Sequence, residues 1–166
     1  FPLGSRITGS FTTAVPLPAN LPAIDVSGLI SAYGFSDGVT TYANGDPNVR
    51  IGTFQLQTDA SGVPGLQQVL LQRWQAAGPH NAGNARFNLL FFTPASAAGS
   101  NVTCTTFGTS PAGAADACIG FTGSSDTSQA LSQLATRVAI GAPVSLALTP
   151  TTYVYTGGTY TTINNH

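Results

Sequence analysis

Cys104 and Cys118 are the only thiols in the 166-residue chain, and they bracket the thirteen residues "TTFGTSPAGAADA". Three chemistries use a cysteine pair. Dithiol exchange favours a Cys-x-x-Cys spacing, which is absent here. A zinc site would need further Cys or His ligands, and the chain has two histidines, of which His166 is the last residue. A disulfide needs only a loop flexible enough to bring the sulfurs together, and Gly108, Pro111 and Gly113 supply one. Closing a loop of about 15 residues stabilises a fold by roughly 3 kcal/mol in the chain-entropy treatment. The predicted pairing is therefore a structural disulfide, the mark of an exported protein.

A second group lies in "QRWQAAGPHNAGNAR", which brings Arg73, Trp74, His80 and Arg86 into one strand-loop-strand unit around the single tryptophan. An exposed Trp74 beside these polar groups would make a platform for a sugar ring or a peptide. A buried Trp74 would be a core anchor whose Arg and Gln neighbours form the solvated side. The third group is Asp37, Asp46 and Asp59, in "SDG", "NGDPN" and "TDASG". Aspartates in such contexts bond their own backbone and cap turns, whereas converging loops would present them to a calcium ion. Turn chemistry is the simpler account, and calcium is the one cofactor this residue set admits.

Catalytic chemistry has little to work with. The chain contains no Lys, Glu or Met, which removes a P-loop lysine, a Schiff-base lysine and a glutamate acid or base. A Ser-His-Asp triad would depend on His80, and no Gly-x-Ser-x-Gly elbow is present. Two carboxylates for glycoside hydrolysis would have to come from six aspartates placed mostly in turns. No catalytic residue is predicted. Five arginines without a lysine make no basic face for nucleic acid. No apolar run approaches a membrane span, so this segment is expected to make no membrane contact.

The elements that must position these groups are strands. Only 7% of residues are charged and the net charge is -1, while Thr, Val, Phe, Tyr, Gly and Pro abound in place of good helix formers. The expected fold is all-β, an antiparallel β-sandwich of jelly-roll or immunoglobulin-like topology. Residues 1–5, with "PLGS", resemble an expression-tag remnant and are set aside, which leaves 6–166 as a single domain. "RITGSFTT", "DVSGLISAYGF" and "VRIGTFQLQT" read as strands, with a hairpin-like excursion through "SDGVTTYANGDPN". "LQQVLLQRW" and "RFNLLFF" are the most apolar segments. Both faces of the second are apolar, which places it in the middle of a sandwich. Gly157-Gly158 is predicted to turn a hairpin that pairs Tyr155 with Tyr160. The spacing of Leu131, Leu134, Ala135 and Val138 predicts one short helix near 127–136.

"GSFTT", "SGLISAYGFSDG", "LQRWQAAGPHNAGNARF" and a Cys-loop-Cys element followed by "SSDTS" together resemble the exported regions of bacterial PEP-CTERM proteins, over most of residues 6–150. Those are substrates of the exosortase system of Gram-negative bacteria that make exopolysaccharide. In that family a sorting tail of a Val-Pro-Glu-Pro signal, an apolar span and a basic end follows the exported region, and the sequence here ends at "TTINNH" without it. The resemblance implies export and a structural or adhesive role at the cell surface or in the biofilm matrix. It transfers no catalytic residue. Its implied partners are extracellular polysaccharide or further copies of the chain. Two alternative roles are a lectin-like module, with or without calcium, and a fibre subunit in which a terminal strand such as Ile7–Thr13 or Thr159–Ile163 completes a neighbour's sheet.

Overall fold

The computed structural model describes residues 6–94, 97–122, 129–131 and 151–159. These form an all-β sandwich of two antiparallel sheets, as the composition predicts. The smaller sheet contains β1 (Arg6–Thr13), β3 (Ile30–Ser36), β4 (Thr41–Ala43) and β11 (Thr151–Thr159), in the order β11-β1-β3-β4. The larger contains β2 (Ile24–Asp25), β5 (Val49–Thr58), β6 (Pro64–Trp74), β7 (Arg86–Phe92), β8 (Ala97–Gly108) and β10 (Gln129–Leu131), in the order β10-β8-β7-β6-β5-β2. A further strand, β9 (Ala117–Thr122), also pairs with β8.

Alternation along the strands explains the packing. In β5, Phe54, Leu56 and Thr58 are buried while Gln55 and Gln57 turn away from the core, as a period of two requires. Phe11 and Phe35 come from the smaller sheet, Phe54 and Phe92 from the larger. Their rings meet at centroid distances of 5.1 Å for Phe11–Phe54, 6.0 Å for Phe35–Phe54 and 5.4 Å for Phe35–Phe92. Each buried phenylalanine contributes about 1.5–3 kcal/mol, so this cluster is the main clamp between the sheets.

The larger sheet is buried on both faces. Val69, Leu71, Leu90 and Phe92 face the inter-sheet core, whereas Trp74, Phe87, Leu89 and Val102 build a second core on the opposite face with Cys104 and Cys118. The doubly apolar pattern of "RFNLLFF" has this as its cause. The second core is closed by the β8–β9 hairpin, which folds back over β5 and β6. Ser110 Oγ donates to the Ile51 carbonyl (2.7 Å), and the Gln72 amide bonds both the carbonyl (2.7 Å) and the N–H (3.0 Å) of Cys118. The disulfide Cys104–Cys118, with Cα atoms 5.6 Å apart, holds the hairpin's two strands together.

Three expectations are corrected. Gly157-Gly158 does not turn a hairpin: both glycines lie within β11, where three residue steps from Thr156 to Thr159 oppose two from Thr8 to Arg6. That is a bulge, the other use a strand makes of glycine; Tyr160 lies outside the described residues. In the stretch predicted to be helical, Gln129–Leu131 is a strand paired with β8, and the rest lies outside the described residues. β1 is hydrogen-bonded on both sides, to β11 and β3, so Ile7–Thr13 completes its own sheet and not a neighbour's. Of the other donor segment, Thr159 pairs with Arg6 and the remainder lies outside the described residues.

Candidate functional site

Arg73, Trp74, His80 and Arg86 do not converge. Consecutive strand residues point to opposite faces, so Arg73 and Trp74 part company at the end of β6. Trp74 is 0% exposed, with its indole N–H donating to the Asp116 carbonyl (3.0 Å). His80 follows it inward and stacks on the indole at 4.0 Å between centroids, 11° from parallel. A wholly buried indole offers no face to a sugar, so of the two readings of Trp74 the structure has the core anchor and not the platform.

His80 is held on every side. Its Nδ1 lies 2.7 Å from Asp116 Oδ2 and its Nε2 lies 2.9 Å from the Ala76 carbonyl, while its backbone N–H donates to Asp116 Oδ1 (3.0 Å). Both ring nitrogens lie within hydrogen-bond distance of oxygen atoms. Arg50 Nη2 reaches Asp116 Oδ2 at 3.4 Å, and Arg50 also donates to the carbonyls of Ala115 (2.8 Å) and Pro47 (2.7 Å). Burial pushes the Asp116 carboxyl up, but the His80 backbone N–H, the His80 ring and Arg50 together outweigh it and hold the group below its ordinary value of 3.8. The arrangement locks the 109–116 loop onto the β6–β7 connection. With the ring enclosed and its far nitrogen committed to a carbonyl, it presents no base to solvent. Nothing in the spacing pairs residue 80 with residue 116, and the sequence reading missed Asp116, Arg50 and Gln72 for that reason.

The three turn aspartates stay apart. Asp37 Oδ1 accepts from the N–H groups of Val39 (2.8 Å) and Thr40 (2.6 Å), and its Oδ2 from the Tyr42 hydroxyl (3.3 Å). Asp46 accepts from Asn48 N–H (2.9 Å) and pairs with Arg73 Nε (3.2 Å). Asp59 Oδ1 accepts from Ser61 (2.8 Å) and Val63 (2.9 Å). Among the described residues no three His, Cys, Asp or Glu side chains gather into a metal-sized group. Asp37, Asp46 and Asp59 are three separate turn caps, the simpler of the two readings, and do not converge as a calcium set.

Arg73 and Arg86 belong to a different surface. Register places Arg73 opposite Asn88, and Asn88 opposite Asn101; two residues on, Gln75 N–H donates to the Arg86 carbonyl (3.1 Å) and Arg86 stands opposite Thr103. These two rows continue the face whose preceding row, Leu71, Leu90 and Gly99, is buried. The face turns polar where its burial ends. Gln75 Nε2 donates to Asn101 Oδ1 (3.1 Å) and Asn88 Oδ1 (3.4 Å), and Asn88 Nδ2 donates to Asn101 Oδ1 (2.5 Å). Beside the rows runs an open groove of about 610 Å³, lined by Gln75, Asn84, Arg86 and Thr103 together with small residues of the 76–85 loop. The loop is braced by Asn84, which accepts from Asn81 N–H (2.7 Å) and donates to the Pro79 carbonyl (3.3 Å). Gln75, Asn88, Asn101 and Thr103 went unnoticed in the sequence, although polar residues alternating with apolar ones in "RWQ", "RFN" and "NVT" were the signal.

Comparison with known proteins finds no matching family model, no curated relative and no similar solved structure.

Proposed function

We propose that the chain is the exported, non-enzymatic β-sandwich of a Gram-negative surface or matrix protein with a structural or adhesive role. The observation that carries the reading is the Cys104–Cys118 disulfide, whose two residues are 4% and 3% exposed and belong to a hydrophobic core. Disulfides of this kind form and persist in oxidising compartments outside the cytosol. The resemblance of residues 6–150 to the exported regions of PEP-CTERM proteins points the same way, as does a surface with few charges. No helix among the described residues is long and apolar enough to cross a membrane.

The test is fractionation of the bacterium that carries the gene. The chain is expected in the washed extracellular matrix with its disulfide intact, and its deletion is expected to weaken flocs or biofilm. Recovery from the cytosol with both thiols free, or a deletion strain with unchanged matrix, overturns the reading.

A further inference from the structure

We propose that Asn44 is a site of covalent self-modification, at which the side-chain amide cyclises onto the backbone nitrogen of Gly45 and is converted to aspartate and isoaspartate. The proposal goes beyond the matrix reading and does not rest on it, because it depends only on the chemistry of one turn.

The reaction needs a side-chain carbonyl carbon within reach of the next residue's backbone nitrogen. A Cβ on that next residue hinders the approach, so pairs with glycine in second place react first. The sequence holds two, Asp37-Gly38 and Asn44-Gly45, and the fold treats them oppositely. Asp37 is 2% exposed, and its carboxylate accepts from the Val39 and Thr40 N–H groups and from the Tyr42 hydroxyl. The Gly38 N–H, which would have to attack it, donates to Ser36 Oγ (3.1 Å). Both reacting groups of that pair are held.

In the other pair neither is. Asn44 and Gly45 are exposed, and among the described residues neither the Gly45 N–H nor Asn44 Nδ2, the leaving nitrogen, has a hydrogen-bond partner. Asn44 Oδ1 accepts from the Tyr33 N–H (3.0 Å), which draws electron density from Cγ and makes it the better electrophile. The Asp46 N–H closes the turn on the Ala43 carbonyl (3.3 Å). Gly45 takes φ 87° within it, a conformation glycine adopts without strain, and nothing lies within 4 Å of where its Cβ would stand.

The Gly45 nitrogen, its proton lost to solvent, bonds to Asn44 Cγ and closes a five-membered imide, an intramolecular attack between groups already side by side. The Cγ–Nδ2 bond breaks, and Nδ2 takes up a proton and leaves as ammonia. Water then opens the ring. Cleavage of the bond from nitrogen to Cγ leaves an aspartate in a normal backbone; cleavage of the bond to the main-chain carbonyl carbon leaves isoaspartate, with the backbone routed through Cγ. One water is consumed and one ammonia released. Either product adds a negative charge to a chain whose net charge is -1. The isoaspartate also inserts a methylene between β4 and β5 and takes the carbonyl that Tyr33 uses into the main chain.

The folded chain is incubated in mildly alkaline buffer beside the peptides "TYANGDPN" and "GFSDGVTT". Mass spectrometry reads the exchange of ammonia for water, and an isoaspartate-specific methyltransferase labels the isomerised product. The expected result is reaction at residue 44 of the folded chain at a rate within a few-fold of its peptide, with the Tyr33 amide NMR signal changing in step. Residue 37 is expected to stay unlabelled in the folded chain although its own peptide reacts. Gly45→Ala is expected to slow the reaction several-fold. Alanine is strained at that φ, so Asn44→Gln, whose longer side chain closes a less favoured ring, is the second variant and is expected to remove the label from residues 41–48. Four outcomes overturn the proposal: an intact residue 44 in folded chain while its peptide reacts, equal reaction at residues 37 and 44 of the folded chain, reaction confined to other asparagines, or an unchanged label in Asn44→Gln.

Discussion

Asp116 does the work of several residues from one backbone position. Its carboxylate receives the His80 N–H, the His80 ring and Arg50, and its carbonyl receives the Trp74 indole. It does so at φ 54°, in the left-handed region. Asparagine tolerates that region, so Asp116→Asn removes the charge with little backbone strain. We predict a loss of about 1.5–3 kcal/mol at pH 7, the worth of hydrogen bonds to a charged group. The carboxyl is held below 3.8 in the fold, so between that value and the lower folded one the unfolded chain binds the extra proton. Its contribution is complete above about pH 4 and fades as pH falls through the folded value. Urea titrations at pH 7 and pH 2.5 check this: the gap between wild type and variant should narrow in acid, and a constant gap refutes the account.

At the scale of elements, the β8–β9 hairpin forms one wall of the second core, and its disulfide spans a sequence separation of 14. Replacing both cysteines by serine is predicted to cost about 3 kcal/mol, which in a domain of this size lowers Tm by roughly 6–12 °C. Calorimetry reads it, and an unchanged Tm would show that the two cores alone hold the hairpin. β1 carries a second prediction. Gly9 stands opposite Phe35 in β3, and a Cβ there would run into the Gly34 carbonyl and the Phe35 ring. That ring is part of the clamp between sheets and has no room to retreat. Gly9→Ala is expected to destabilise by about 1–3 kcal/mol, whereas Gly34→Ala, whose Cβ meets nothing within 4 Å, should stay within about 0.5 kcal/mol. Equal effects in denaturant titration would refute the packing argument.

For the molecule as a whole, β6 and β7 are, among the described residues, the only strands that contribute large buried side chains to both cores. Opening either core leaves them covered on the other face. Their amides are therefore predicted to exchange slowest with solvent, at rates near the global unfolding limit, and reduction of the disulfide should speed exchange in β9 before it does so in β1. Slowest exchange in β1 and β3 would reverse that ranking. Much of this architecture is legible in the residues. The bounds of β5 and β7 are those of "VRIGTFQLQT" and "RFNLLFF", and the doubly apolar second segment announces a strand covered on both sides. Gly157-Gly158 misleads because a glycine pair serves a bulge as readily as a turn, and only the partner strand decides which. What the sequence determined by itself is local: the β class from composition, the cysteine pair from its flexible loop, and the aspartate-capped turns from side chains that bond amides two to four residues on. What only the tertiary structure decided is long-range: that Trp74 and His80 turn inward to meet Asp116, and that Arg73, Gln75, Arg86, Asn88, Asn101 and Thr103 share one face. Both depend on register across strands and on the hairpin's return, contacts between residues far apart in the chain that no short window of sequence encodes.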